Sequence, residues 1–171
     1  MRIRLYQAED FPVVKAWETD ARTHALWCAG RFPYPLAEED FAAVLADHAA
    51  NHGDKAYIAE TENGEPAGFF CMSEKVETGT VMLRFVIISP QMRGRGYGRE
   101  MLRLAAEYAF DVLHANAVRL VVFTANAAAK ACYLRAGFTE QHTEDNAFSF
   151  GGETWGRCVM IQKNPAETET I

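Results

Sequence analysis

The chain has 171 residues, 49% of them apolar, and 23 Asp and Glu outweigh 17 Lys and Arg to leave a formal charge of −6. A chain of this length buries about two thirds of the surface its unfolded form exposes without needing covalent staples, and its acidic balance disfavours nucleic acid, whose phosphates want a basic face, while agreeing with a cationic or amine substrate. No apolar run approaches the roughly 20 residues of a membrane helix, and Cys28, Cys71, Cys132 and Cys158 stand far apart behind an opening with no apolar leader, MRIRLYQAED, so a cytoplasmic protein with reduced thiols is expected.

In chain order, Ile3 and Leu5 alternate as in a strand, and Asp10 before Pro12 predicts a capped helix through Val13, Val14 and Trp17. From Arg22 to Leu36 the text is irregular and aromatic, predicting a loop or short helix; AEEDFAAVLADHAANHG then has helical periodicity and stops at Gly53. Two β-rich runs flank Asn63-Gly64, the residue pair that tight turns with positive φ favour, and predict an antiparallel hairpin. TVMLRFVIISP is a more continuously apolar strand, and YGREMLRLAAEYAFDVLHA puts Met101, Leu104, Ala105, Tyr108 and Val112 on one helical face. A strand VRLVVFTAN, a helix AAAKACYLRAG closed by Gly137 and a last strand pair complete the order β-α-α-β-β-β-α-β-α-β-β. No repeat or linker divides the chain, so one domain over residues 1–163 is expected, with 164–171 as a frayed tail.

Between the third strand and its helix lies SPQMRGRGYGREML. A helix start exposes unpaired backbone N–H groups and about half a positive charge, a ready anion site. Gly94, Gly96 and Gly98 free the backbone for close approach, and Arg93, Arg95 and Arg99 add donors suited to phosphate oxygens. A dinucleotide fingerprint needs glycine where Arg99 stands, and the Gly-Lys-Ser/Thr of nucleotide hydrolases is absent. The pattern that remains is R-x-x-G-x-G from Arg93 to Gly98, and it resembles the acetyl-CoA pyrophosphate loop of the GNAT superfamily of N-acetyltransferases. Downstream, NAAAKACYLRAGF, with Asn126, Ala129, Tyr133, Gly137 and Phe138, resembles that superfamily's second signature at the right spacing. The resemblance covers Met1 to about Ile161, only in outline from Thr19 to Asn51.

The resemblance implies an α/β GNAT fold: a mixed central sheet of about six to seven strands, flanked by about four helices and splayed between the strands at Met82–Ser89 and Val118–Thr124. It implies that acetyl-CoA is the acetyl donor, its pyrophosphate seated on Arg93, Gly94, Arg95, Gly96, Tyr97, Gly98 and Arg99 and its pantetheine arm on backbone groups at Val86 and Ile88. Tyr133 stands where the family places the proton donor to the departing thiolate; a phenol is protonated at neutral pH, as a general acid must be, and packing on an amphipathic helix is the other role open to it. Asn126 is expected to cap the helix it opens, and the resemblance places it among the cofactor-binding residues. Many family members place a glutamate on the strand before the glycine loop, whereas this chain has Arg84 and no carboxylate there. Glu74, Glu144, Glu153 and His24 are candidate bases, each also readable as a solvated residue, and deprotonation through ordered water or arrival of an already neutral amine is equally open.

Other constellations carry less. His48 and His52 are one helical turn apart but have no third ligand, so no metal is expected and a solvated helix face explains them. Cys132 reads as a small buried residue. Trp27, Phe32, Tyr34 and Trp155 line an acceptor pocket or pack in the core, and Glu144 and Asp145 fall in a polar turn that could hold an ammonium. The expected acceptor is a primary amine of a small molecule, such as a polyamine, amino acid or aminoglycoside, or a peptide N-terminus. A non-catalytic acyl-CoA sensor and a phosphate-binding protein unrelated to CoA are the readings from other classes, and a homodimer is possible by likeness to the family.

Overall fold

The computed structural model describes residues 1–74 and 78–168. Strand β1 (Arg2–Leu5) leads through a 3-10 turn into helices α1 (Phe11–Lys15), α2 (Ala21–Cys28) and α3 (Glu38–His52). The hairpin β2 (Asp54–Glu60) and β3 (Pro66–Ser73), strand β4 (Thr80–Ile88) and helix α4 (Tyr97–Asp111) follow, then β5 (Ala117–Phe123), α5 (Ala127–Arg135), β6 (Thr139–Phe150), β7 (Glu153–Lys163) and a short helix α6 (Pro165–Thr168). All seven strands form one sheet in the order β1-β2-β3-β4-β5-β7-β6. No helix among the described residues is long and apolar enough to cross a membrane.

Alternation along the strands builds a core on each face of this sheet. Tyr57, Ala59, Phe70, Met72, Val118 and Leu120 pack with Met101, Leu102, Ala105 and Ala109 of α4 on one face. Ile58, Phe69 and Cys71 pack with Phe11, Val14, Cys28 and Phe41 of α1–α3 on the other.

Strand β4 breaks its own alternation. Cys71 of β3 pairs with Arg84 but Phe69 pairs with Ile87, so two residues of β4, Phe85 and Val86, face the single Phe70. Phe85 takes φ +52° to make this bulge. As a result Val81 and Leu83 point to the α4 face, whereas Phe85 and Ile87 point to the α1–α3 face. A strict period of two would have put all four on one side.

The other feature that shapes the site is where β4 leaves β5. They pair in parallel only over Thr80↔Ala117, Val81↔Val118 and Met82↔Arg119, while β5 stays zipped to β7 over its whole length, from Ala117↔Lys163 to Phe123↔Arg157. Beyond Met82 the two strands diverge, and one edge of β4 is released.

Several expectations change in detail. The first helix ends at Lys15, and Trp17 lies beyond it in the core. Of the loop or short helix expected in the aromatic segment, the structure has the short helix, α2, whose start is capped by the Asp20 side chain accepting from the Thr23 N–H at 2.9 Å. Glu144 and Asp145 lie in β6 rather than in a turn, beside a bulge between Glu144 and Phe148. The tail expected to fray begins with α6, and residues 169–171 lie outside the described residues.

Candidate active site

The divergence of β4 from β5 opens a cleft of about 360 Å³ that is lined from both faces of the sheet. Met82 to Val86 of β4 and Val121 to Phe123 of β5 form its walls, Asn126 and Tyr133 close it on the α5 side, and Trp27, Arg31, His48 and His52 close it on the α2–α3 side.

Trp27 fixes the bulge. Its indole N–H donates to the carbonyl of Phe85 at 2.8 Å, and its ring stacks on Phe32 with centroids 5.2 Å apart. A left-handed Phe85 costs backbone energy, and this bond holds the strained peptide in place. Of the four aromatics expected to line a pocket or pack, Trp27 lines the cleft, Phe32 is core, Tyr34 is exposed, and Trp155 packs with Phe123 and Phe148 in a cluster of its own.

Tyr133 projects from α5 among Phe138 and the α4 residues and reaches the cleft. Burial pushes its phenol well above the ordinary tyrosine range, with the neighbouring Cys132 adding slightly. It therefore keeps its proton at any physiological pH. Asn126 caps α5, its side-chain oxygen accepting from the Ala129 N–H at 3.2 Å, and it too lines the cleft. Val86 and Ile88 pack against the α4-side core.

The glycine loop carries Gly94 at φ +74° and Gly96 at φ +89°, left-handed values that glycine adopts without cost. A side chain at either would meet nothing within 4 Å, so the space in front of the backbone is open. Gly96 starts α4 with no side chain capping the helix, which leaves the first-turn N–H groups available to an anion. Arg93, Arg95 and Arg99 are exposed around this opening. The Arg93 Nε–H donates to the Ile88 carbonyl at 3.1 Å, and Arg95 stacks over the Tyr97 ring. Gly98 does a packing job instead, because a Cβ there would stand 3.0 Å from the Cys132 sulfur. An open left-handed backbone, a bare helix start and three guanidiniums fit a diphosphate.

None of the four candidate bases lines the cleft. His24 is buried, with Nδ1 against Glu18 and Nε2 at 2.8 Å from the Phe32 carbonyl. Glu74 accepts from Tyr57 and pairs with Lys55 at 2.5 Å. Glu144 pairs with Arg157, and Glu153 with Arg22 and the Trp155 indole.

Two histidines do reach the cleft, His48 and His52, and of the two His48, expected on a solvated face, is 7% exposed. Its Nδ1 lies 3.3 Å from Asp54 Oδ2, and Asp54 Oδ1 receives the Arg84 Nη1–H at 2.5 Å. Burial pushes the imidazole below the ordinary histidine range, with Arg84 and His52 pressing the same way and Asp54 opposing. His52, one helical turn on, is exposed beside it as expected of a solvated face; among the described residues no group of three or more metal-ligating side chains converges. One signal in the sequence pointed here: an arginine inside an apolar strand requires a buried carboxylate, and Asp54 supplies it.

The chain matches the acetyltransferase (GNAT) family over residues 12–138. It is 26% identical over 176 aligned positions, covering 99% of this chain and 91% of the relative, to spermidine N(1)-acetyltransferase of Escherichia coli K12. A 5-NmdU N-acetyltransferase of Pseudomonas phage PaMx11 is 30% identical over 103 positions, 59% of this chain and 70% of the relative. In fold, spermidine N-acetyltransferase of Vibrio cholerae, solved with CoA and spermine, superposes with a TM-score of 0.79 over 95% of this chain and 94% of that one, at 18% identity. Relatives of this kind bear the names of enzymes, which offers nothing to the sensor reading. With a sheet split beside a glycine-led helix and the family match spanning both signatures, the chain belongs to the acetyltransferase (GNAT) family and is an acetyl-CoA-dependent N-acetyltransferase.

Proposed function

We propose that the protein moves the acetyl group of acetyl-CoA to a primary amine, of a small molecule or a peptide N-terminus, by direct attack inside the β4–β5 cleft. One observation carries this: a protonated phenol from one face of the sheet, Tyr133, and a buried imidazole from the other, His48, line the same cleft. Acetyl-CoA supplies the activated carbonyl.

The loop from Arg93 to Arg99 binds the pyrophosphate at the start of α4, and the released edge of β4 at Val86 and Ile88 binds the pantetheine amides. Arg93 anchors the loop to the end of that strand through the Ile88 carbonyl and has further N–H groups for phosphate. His48 takes the proton from the incoming ammonium: Asp54, fixed by Arg84, favours the tautomer with hydrogen on Nδ1 and leaves the Nε2 lone pair as the acceptor. Tyr133 donates toward the sulfur as the thiolate departs.

Thiol release from acetyl-CoA across a panel of amines and short peptides tests the activity. Tyr133→Phe is expected to lower kcat by about 10²-fold with CoA affinity unchanged in calorimetry. Full kcat in the variant would remove Tyr133 from the chemistry.

For His48 the pH profile decides. A base must be neutral to act, so kcat/KM falls as pH drops through the His48 pKa; because burial lowers that pKa, the acid limb is expected below the ordinary value of about 6.5. His48→Gln is expected to cost about 10²-fold in kcat/KM and to erase that limb. An unchanged acid limb in the variant would assign the proton to another acceptor.

A further inference from the structure

We propose that the acceptor is a small primary amine that also carries a carboxylate, of the amino-acid class, and that Arg31 binds the carboxylate. This rests on the cleft being the acceptor site of the N-acetyltransferase.

The charge of the cleft is the observation. The chain has 23 Asp and Glu, yet none of them lines this cleft, which instead presents Arg31, Arg84, Arg157, His48 and His52. Two of the three guanidiniums are neutralised from behind, Arg84 by Asp54 at 2.5 Å and Arg157 by Glu144 at 2.7 Å. Those two carboxylates are thereby occupied. Arg31 is exposed and its side chain has no hydrogen-bond or ion-pair partner among the described residues. Its backbone start is fixed, because Ala29 (φ +53°) and Gly30 (φ +72°) turn the chain sharply after α2 and the Arg31 N–H donates back to the Cys28 carbonyl at 3.0 Å.

A polyamine entering this space would bring one or two further ammonium groups to a wall with no anion to receive them, and like charges brought together exclude a ligand strongly. An amino acid brings one charge of each sign. Its ammonium meets neutral His48, its carboxylate meets the planar fork of Arg31, which suits bidentate binding, and the apolar lining at Leu26, Trp27 and Val121 accepts its side chain. The relatives named for spermidine therefore differ from this chain in the charge their acceptor must bring.

Initial rates of thiol release with the full chain and saturating acetyl-CoA test this on matched pairs: phenylalanine against phenethylamine, leucine against isopentylamine, phosphoethanolamine against ethanolamine, and spermidine beside them. The carboxylated member of the amino-acid pairs is expected to lead its decarboxylated partner and spermidine by at least about tenfold in kcat/KM. Arg31→Glu is expected to reverse that order while thermal unfolding stays in place, since the side chain is exposed. Equal rates within the pairs, or preference for spermidine, overturn the proposal and leave N-acetyl transfer standing; preference for phosphoethanolamine over the amino acids overturns the carboxylate in favour of phosphate. If no amine turns over, calorimetry with CoA-saturated protein decides: amino-acid binding that Arg31→Glu removes upholds Arg31 and sinks the transfer reading, and absence of such binding overturns the proposal as well.

Discussion

Arg84→Met is expected to lower unfolding free energy by roughly 3–5 kcal/mol, the cost of stripping the partner from a buried carboxylate. The Asp54 side chain is 2% exposed and its Oδ1 has Arg84 as its partner. Methionine fills much of the arginine stem's volume, so the loss is electrostatic rather than a cavity. For a chain of this length that corresponds to a fall in Tm of about 6–20 °C. Asp54→Leu added to Arg84→Met removes both charges and is expected to recover part of the loss, since replacing a whole buried pair with apolar groups is often close to neutral. Urea unfolding of the single and double variants checks both; a single-variant loss below about 1 kcal/mol would show that water reaches Asp54 and that the pair behaves like a surface ion pair. The double variant also loses Asp54, the group that orients His48, and the single variant loses the arginine that fixes Asp54.

Gly96→Glu is expected to abolish CoA binding, with affinity down at least about 10²-fold in calorimetry. The position is left-handed, φ +89°, so any side chain adds strain of about 1–2 kcal/mol. Space itself is no obstacle, because nothing stands within 4 Å of a Cβ there. What the glutamate adds is a carboxylate at the bare start of α4, where the pyrophosphate is proposed to sit, and it competes for the same N–H groups. Gly96→Asn, a residue that tolerates the left-handed region, separates the contributions: it is expected to keep most of the stability and most of the affinity. Unchanged CoA affinity in Gly96→Glu would move the pyrophosphate away from this loop.

The two motifs were legible because they are local. The bare helix start, the left-handed glycines and the Asn126 cap depend on residues within a few positions of one another, so spacing alone carries them. The proposed base was not legible for the opposite reason. His48, Asp54 and Arg84 come from α3, β2 and β4, and only the pairing of β2 with β3 and of β3 with β4 brings them together. On its own helix His48 reads as polar surface. The four groups named in its stead are polar residues that the fold had already committed to other partners.

By itself the sequence determined the kind of fold, the glycine loop before α4 and the placing of Tyr133 and Asn126 at the second signature, because alternation, helical period and turn chemistry act over a turn or a strand. Tertiary structure alone decided which face β4 shows. The extra residue at Phe85 opposes the single Phe70 and swaps inside for outside, and the early parting of β4 from β5 opens the cleft. It also decided the sign of charge lining that cleft: an acidic chain places its carboxylates elsewhere and leaves Arg31 among the lining residues. Pairing register and side-chain burial depend on partners far apart in the chain, and no period along one segment encodes them.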